Sequence, residues 1–451
     1  MQAKTTDLCS TELQKLDLAP KTARERIAVL DIQRGVAILL IFFVNISNMG
    51  NSVYEHFGDA RLLGWQPADR ICWWIIRLFI DGTQRGLLQL LFGAGALILL
   101  SKTQDPEGPV AVADLYFRRN FLLILFGLFD IFGLLWFGDI LYQYGAAALF
   151  LFPLRRLHAK VLLAISLSAI AVITALSAGN YQRQVAAYTE AQSAQVKQAL
   201  HQPLTSRDTQ AIAARVKKLA SLHTPESALA EERSIRMGPF TDYAHWCTHI
   251  WLTFVFPTLL GNVAEVFFPA ILGMALFKFG VTQGLRSTRF YVWFTIFCYI
   301  PGLVLRANDA LIFTQFQALP NKAAVFSEAA RLLVTLGHVA LINLLVRSSL
   351  GQRLLFPFKA AGRTAFSLYL IQNFLGMWVL FPGFSLGLFG RFGWFGLTML
   401  ALAVMVAQLL LASIWLHFFT MGPFEWLWRS LTYKHLQRFR NRLAKPDLEL
   451  V

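Results

Sequence analysis

The sequence predicts an all-α, polytopic integral membrane protein with about ten transmembrane helices, an interfacial helix and an outer helical insert. Three observations predict it. Of 451 residues, 56% are hydrophobic and only 15% are charged, against roughly 25% charged in soluble domains. Apolar runs of membrane length, roughly 17 to 25 residues, recur along the chain. The basic residues fall mainly in the short connections between them, as the positive-inside pattern requires.

The runs lie near 35–50, 85–101, 118–136, 139–157, 159–178, 249–279, 289–307, 327–346, 361–381 and 394–420. Residues 1–33 form a polar N-terminal tail with no cleavable leader pattern, so the first run is expected to be a retained helix. Segment 67–80 carries Trp73 and Trp74 beside Arg70 and Arg77. That amphipathic, indole-bearing pattern suits a helix at the outer interface rather than a crossing.

With ten crossings, both termini fall on one side, and the connections on that side hold 25 of the 41 Lys+Arg residues. Both termini are therefore expected in the cytoplasm. The organisation reads as a cytoplasmic tail (1–33), a first bundle half (34–178), a periplasmic insert (179–245), a second half (246–421) and a basic cytoplasmic tail (422–451). The insert is rich in Ala, Gln, Glu and Lys and is broken at His201-Gln202-Pro203 and Thr224-Pro225. It reads either as a solvated cap or as a substrate lid.

The net charge of +15 does not make this a nucleic-acid binder, because the bases are spread through short loops rather than clustered on a polar domain. Cys9, Cys72, Cys247 and Cys298 form no CxxC pair, so neither a disulfide framework nor a metal centre is expected.

The chemistry-bearing residues begin at the first span. Asp31 and Arg34 lie at i and i+3 on one helix face, with Arg26 before them. They are either an anchoring pair or a cytosolic anion site, since Arg grips phosphate in a forked geometry. Arg119 is a further candidate for that site. At the outer end, Asn45 is followed by His56, and Asp69 is a candidate partner to orient the ring. Imidazole exchanges protons near neutral pH and can also act as a nucleophile.

Charges inside a membrane call for a partner or a cavity, at roughly 2.5–3.5 kcal/mol each on insertion scales. Asp130, Glu265 and His338 lie within spans. Glu265 follows Asn262 between Pro257 and Pro269, in a helix whose interruptions free backbone polar groups. Tyr369, Gln372 and Asn373 share a face at i, i+3 and i+4. These residues are the expected lining of an intramembrane polar cavity, or else interhelical hydrogen bonds that hold the bundle.

Several stretches carry a family resemblance: Leu30-Asp31 with Arg34-Gly35 and Asn45, Leu91-Phe92-Gly93-Ala94-Gly95, and Asp139-Ile140-Leu141 with Pro153-Leu154-Arg155-Arg156. Gly362-Arg363-Thr364-Ala365-Phe366-Ser367-Leu368-Tyr369 and Gly422-Pro423-Phe424-Glu425-Trp426-Leu427-Trp428-Arg429 extend it to the C-terminal half. The chain resembles the YeiB-like family (domain of unknown function 418) of bacterial inner-membrane proteins. That family is similar in turn to the transmembrane acyltransferase superfamily. Membrane O-acetylases of that group carry an Arg, ten intervening residues and then a His; here ten residues separate Arg34 from Asn45, which stands in the place of the His. The lysosomal heparan-α-glucosaminide N-acetyltransferases carry Val-Asn there and a catalytic His eleven residues on, which matches His56.

The resemblance implies an acyltransferase with no tightly bound cofactor. Acyl-CoA would be the co-substrate, its phosphates held by Arg26, Arg34 and Arg119. His56, oriented by Asp69, would act as base or acyl carrier, and Asn45 would hydrogen-bond the thioester oxygen. The acceptor would be a glycan, a lipid head group or a small metabolite. The alternative reading is a small-molecule transporter built on Glu265, Asp130 and the interrupted sixth span. A scaffold using the insert for docking is the third.

Overall fold

The computed structural model describes residues 27–54, 59–100, 110–220, 222 and 224–441. Among them the protein is helical and forms no β-sheet. Arg26 and His56 fall outside the described residues.

Helix α1 (Ala28–Gly50) is apolar on most faces and largely buried. Helix α2 (Pro67–Ile75) begins with Pro at its first position and a capping box made by Gln66 and Asp69. A π-turn stretch carries it to Ile80, where the chain breaks before α3 (Thr83–Leu100). Helix α4 (Val110–Phe132) leads to the short α5 (Leu141–Leu151). Helix α6 (Ala159–Ala199) has 41 residues, about 60 Å at 1.5 Å per residue. That is about twice the hydrocarbon thickness of a bilayer, so the fifth apolar run and the start of the insert are one rod.

Helices α7 (Ser206–Ala220) and α8 (Glu226–Arg236) complete the insert. Helix α9 (Phe240–Ile250) runs through π and 3₁₀ turns into α10 (Leu259–Lys278). Then follow α11 (Thr288–Phe313), α12 (Ser327–Leu345), α13 (Ser349–Arg363) and α14 (Ala365–Phe374), the last extended by a π stretch to Leu380. Helices α15 (Trp394–Phe418) and α16 (Pro423–Tyr433) close the order.

Seven of these elements are long and apolar enough to cross a membrane. The sequence expects ten. The other three are α4, which carries Asp114, Arg118, Arg119 and Asp130, and the short α5 and α14. Segment 67–80 runs almost directly into α3, and the two together form one of the seven. Its Trp73 is buried and stacks on Phe313, while Ile71, Ile75 and Phe79 face outward.

Close packing by small residues sets the bundle's centre. A Cβ on Gly93 would lie 1.8 Å from the Ala270 carbonyl oxygen, and one on Gly273 would lie 2.0 Å from that of Leu90. Backbone contact between α3 and α10 therefore depends on glycine, the usual device where no hydrophobic effect drives helices together. The break at Asp81–Gly82 frees carbonyl oxygens inside the bundle, and side chains from α11 and α12 satisfy them. Arg306 donates to the oxygens of Arg77 (3.1 Å) and Asp81 (2.8 Å), and Arg331 to that of Gly82 (3.2 Å). His338 Nε2 lies 2.8 Å from the Phe79 oxygen and its Nδ1 lies 2.6 Å from the Tyr299 hydroxyl. A carbonyl only accepts, so Nε2 carries the proton and Tyr299 donates to Nδ1.

Ile27, just before α1, and Tyr433, the last residue of α16, line one cavity, so those two helix ends share a face. The insert sits at the opposite end of α1, where Arg236 donates to the Asn51 carbonyl oxygen at 2.9 Å. Its other corner is closed by Asp208, which accepts from the Thr205 amide (3.0 Å), the Thr205 hydroxyl (2.7 Å) and Lys197 (3.0 Å). These bonds hold the Asp208 carboxyl down to about 2, from an ordinary 3.8. The folded value is the lower one, so the corner's added stability is present above about pH 4 and is lost as pH falls toward about 2. Amide exchange at the α6–α7 corner should accelerate across that window in wild type and show no such step in Asp208→Asn.

Candidate functional site

A cavity of about 370 Å³ lies between the start of α1 and the end of α16. Its rim is built from three directions. Asp31 and Arg34 sit on the first turns of α1 and pair at 3.1 Å, as their spacing predicts. Arg119 comes from α4, and its guanidinium lies 3.8 Å over the Trp428 ring of α16. The Trp428 indole N–H donates back to the Arg119 carbonyl oxygen at 2.9 Å. Arg363 ends α13 and donates to the Thr420 oxygen at 2.8 Å, and Arg429 comes from α16. Deeper in, Leu88, Leu91, Phe92, Leu123, Ile140 and Leu141 make an apolar wall, with Tyr144 and Tyr369 as its polar marks.

The charge at the rim does not balance. Four arginines face two acids, Asp31 and Glu425. Asp31 is paired with Arg34. Glu425 accepts from the amides of Phe366 (2.6 Å) and Ser367 (3.2 Å) and from the Ser367 hydroxyl (2.5 Å). It thereby caps the start of α14, where a helix leaves its first N–H groups unsatisfied. Burial raises the Glu425 carboxyl above its usual range, and the Ser367 hydroxyl and those amides oppose the rise. Arg119 stands close enough to Arg34 and to Arg429 for each to repel it. The rim is thus preset to receive anionic groups.

The polar residues expected to share one intramembrane cavity divide instead among separate neighbourhoods. Asp130, Tyr369 and Asn373 stay together around Asp139. Gln372 donates to the Ile38 oxygen (3.1 Å) and to Gln408 (2.8 Å). Asn262 donates to the Thr258 hydroxyl (3.0 Å), and His338 braces the α2–α3 break. Glu265 pairs with Arg85 at 3.1 Å in a second cavity of about 230 Å³. Arg77, Asp81, Asp309, Arg331 and Glu328 line that cavity and form three further ion pairs. The two cavities share a wall: Tyr144 lines the first, and its hydroxyl donates to the Arg85 carbonyl oxygen at 3.2 Å.

Of the other expected site residues, Arg34 and Arg119 meet at the rim. Asn45 is half-buried on α1, about 16 Å along the axis from Arg34 and beyond Ile38, the last α1 residue on the cavity wall. Both carboxylate oxygens of Asp69 accept backbone amides, from Phe395 at 2.8 Å and from Gln66 at 3.3 Å. It joins the starts of α2 and α15. Asp139, Arg363, Glu425 and Arg429 were not singled out as site residues from the sequence. Their signal was present, because each lies within a stretch that carries the family resemblance, and those stretches converge on this cavity.

Residues 276–435 match the model of a family described as a protein of unknown function (DUF418). The chain is 28% identical over 430 residues to the uncharacterized protein YxaH of Bacillus subtilis (strain 168), spanning 92% of this chain and 96% of that protein. It is 27% identical over 415 residues to the uncharacterized protein YeiB of Escherichia coli (strain K12), spanning 91% and 97%. Its C-terminal part thus matches the DUF418 family, and nearly its whole length is similar to YeiB and YxaH. It is also 35% identical over 96 residues to an uncharacterized 39.9 kDa protein in the amylase 3' region of Bacillus acidopullulyticus, covering 21% of this chain and 27% of that protein. The DUF418 match includes α11 to α16, hence the Arg363 and Arg429 side of the cavity. The likeness to YxaH and YeiB extends over nearly the whole of each chain.

Proposed function

We propose that this YeiB-like protein is an acyl-CoA-dependent membrane acyltransferase of the bacterial inner membrane, with both termini in the cytoplasm. The single observation that carries the reading is the cavity's division into an arginine-rich rim and an apolar interior. A phosphate-bearing head suits Arg34, Arg119, Arg363 and Arg429, since guanidinium binds phosphate bidentately. A pantetheine arm and acyl chain suit the wall from Leu88 to Leu141. The thioester C–S bond would break, a C–O or C–N bond to the acceptor would form, and the sulfur would leave as a thiol with the acceptor's proton.

His56 is the base or acyl carrier in this reading, and Asn45 the donor to the thioester oxygen. The segment that holds His56 is anchored just before it, where Glu232 accepts from the Ser52 hydroxyl and from the Val53 amide (3.2 Å). Asp69 contributes by joining α2 to α15. A glycan, a lipid head group or a small metabolite would be the acceptor, reached from the insert side. The shared wall at Tyr144 favours one other reading, a transporter in which Arg85 and Glu265 gate passage between the cavities.

Binding of labelled acyl-CoA to the protein in nanodiscs tests the proposal. Arg119→Ala should weaken binding by roughly 10- to 150-fold, the equivalent of the 1.5–3 kcal/mol of a charge-assisted hydrogen bond. Gly95 lines the cavity, and a Cβ there would meet nothing within 4 Å. Gly95→Phe should therefore occupy the cavity and weaken binding at unchanged thermal stability. His56→Ala should retain binding and lose transfer. Equal affinity in wild type, Arg119→Ala and Gly95→Phe would remove the reading. Solute flux lost in Glu265→Gln, without acyl-CoA binding, would favour the transporter.

A further inference from the structure

Where α4 ends, two carboxyl groups meet deep in the protein. Asp130 and Asp139 are both fully buried, and two residues one turn apart on α14 hold one carboxyl each. From α14, Asn373 donates to Asp130 Oδ2 at 2.7 Å and Tyr369 donates to Asp139 Oδ1 at 3.2 Å. From the start of α5, the Tyr142 amide donates to Asp139 Oδ2 at 3.1 Å. Among the described residues no arginine, lysine or histidine pairs with either carboxyl.

The donors do not suffice. Asp130 Oδ1 has no hydrogen-bond donor among the described residues. Asn373 is also fully buried; one N–H of its amide goes to Asp130, and its Oδ1 has no donor among the described residues. Two ionised carboxylates offer only acceptors, so their approach requires something between them. Like charges this close and this buried do not both persist without a cation or a proton. A proton on one carboxyl turns it into a donor and closes the contact with the atoms already present.

The pair also has a route outward. The Tyr369 hydroxyl donates to Asp139, accepts from the Ile140 amide at 3.3 Å and lines the large cavity. A phenolic oxygen has two lone pairs, so besides the Ile140 amide it can accept from a water or ligand in the cavity that it lines. We propose that Asp130 and Asp139 hold one proton between them and exchange it with the cavity through the Tyr369 hydroxyl. In uptake, the Tyr369 O–H proton passes to Asp139 while a proton from a cavity water or ligand replaces it on the phenolic oxygen. Release reverses both transfers, and no net charge stays on the tyrosine. The site stands whether or not acyl transfer is the activity. In that reaction it offers a place for the proton that the acceptor gives up and the thiol regains.

Infrared spectroscopy of the protein in nanodiscs tests this without any substrate. Wild type should show the carbonyl stretch of a protonated carboxylic acid, shifting on transfer to D2O and absent from the Asp130→Asn/Asp139→Asn double variant. Tyr369→Phe should keep the band and slow its D2O shift by roughly a hundredfold, the size of effect typical of a positioned proton-transfer group. Identical spectra in wild type and the double variant would overturn the proposal. So would an undiminished rate of shift in Tyr369→Phe. A band that develops only when sodium is replaced by a bulky organic cation would also overturn it, assigning the site to a metal cation instead. If the double variant does not fold, the wild-type band, its reduction in Asp139→Asn and the Tyr369→Phe rate decide the question.

Discussion

Replacing Arg236 by alanine is expected to destabilise the protein by about 3–5 kcal/mol, the usual cost of removing one partner from a buried ion pair. Arg236 is 1% exposed and lies 3.2 Å from Glu232, which is buried beside it. Its guanidinium donates to the carbonyl oxygens of Asn48, Met49 and Asn51, where α1 ends. The last carbonyls of a helix have no partner in their own helix and carry its negative dipole end. The rings of Phe389 (4.1 Å) and Trp246 (4.9 Å) face the cation and exclude water. Alanine would leave three carbonyl oxygens short of a donor and the buried Glu232 carboxylate with only the Ser52 hydroxyl and the Val53 amide, among the described residues, in place of its cation. Chemical denaturation in detergent measures the loss. Arg207→Ala is the control, because Arg207 pairs with Glu190 on the same insert but is 83% exposed, where ion pairs contribute at most about 1 kcal/mol. Should the two variants lose the same stability, the buried network does not hold the insert to α1.

That network also explains how far the sequence could be read. Apolar runs are a local property, so the helical bundle follows from hydropathy and spacing. The Asp31–Arg34 pair is likewise local, at i and i+3, and forms as expected. What spacing does not carry is which helices touch. Glu265 finds Arg85 across 180 positions of the chain, and Asp69 accepts the amide of Phe395 from the start of a distant helix. Spacing offers Asp69 as a partner for His56 and leaves Glu265 between a cavity and an interhelical bond, because the partners they find lie far off in the chain. Arg363 and Arg429 lie in basic segments near the membrane edge, and only the packing of α13 on α1 and of α16 on α4 makes them the rim of a cavity. Asp139 follows Gly138 at the edge of an apolar run and gave no periodic signal of its own. Its importance depends on Tyr369 from α14.

Gly362→Ala should be among the most disruptive methyl additions in the protein, because it separates the two helices that set the rim. A Cβ on Gly362 would lie 1.7 Å from the Asp31 carbonyl oxygen, and one on Gly35 would lie 1.9 Å from that of Phe358. The atoms in the way are backbone, so no rotamer change relieves the clash and α1 must move away from α13. Overpacking of this kind costs about 1–3 kcal/mol, occasionally more. Both clashes press on the same helix pair. The double variant Gly35→Ala/Gly362→Ala should therefore lose less than the sum of the two singles, since one displacement relieves both. Asp31 and Arg34 lie on α1 and Arg363 is the residue after Gly362, so the same displacement spreads the arginines apart. A shift of about 1 Å at a binding site can cost roughly a hundredfold in function, and labelled acyl-CoA binding should fall accordingly. Gly95→Ala is the control: it adds a methyl group to a cavity-lining helix where nothing lies within 4 Å, and helix propensity alone favours it by up to about 1 kcal/mol. If Gly362→Ala melts and binds like Gly95→Ala, then contact between α1 and α13 does not position the rim, and the arginines are held in place by some other means.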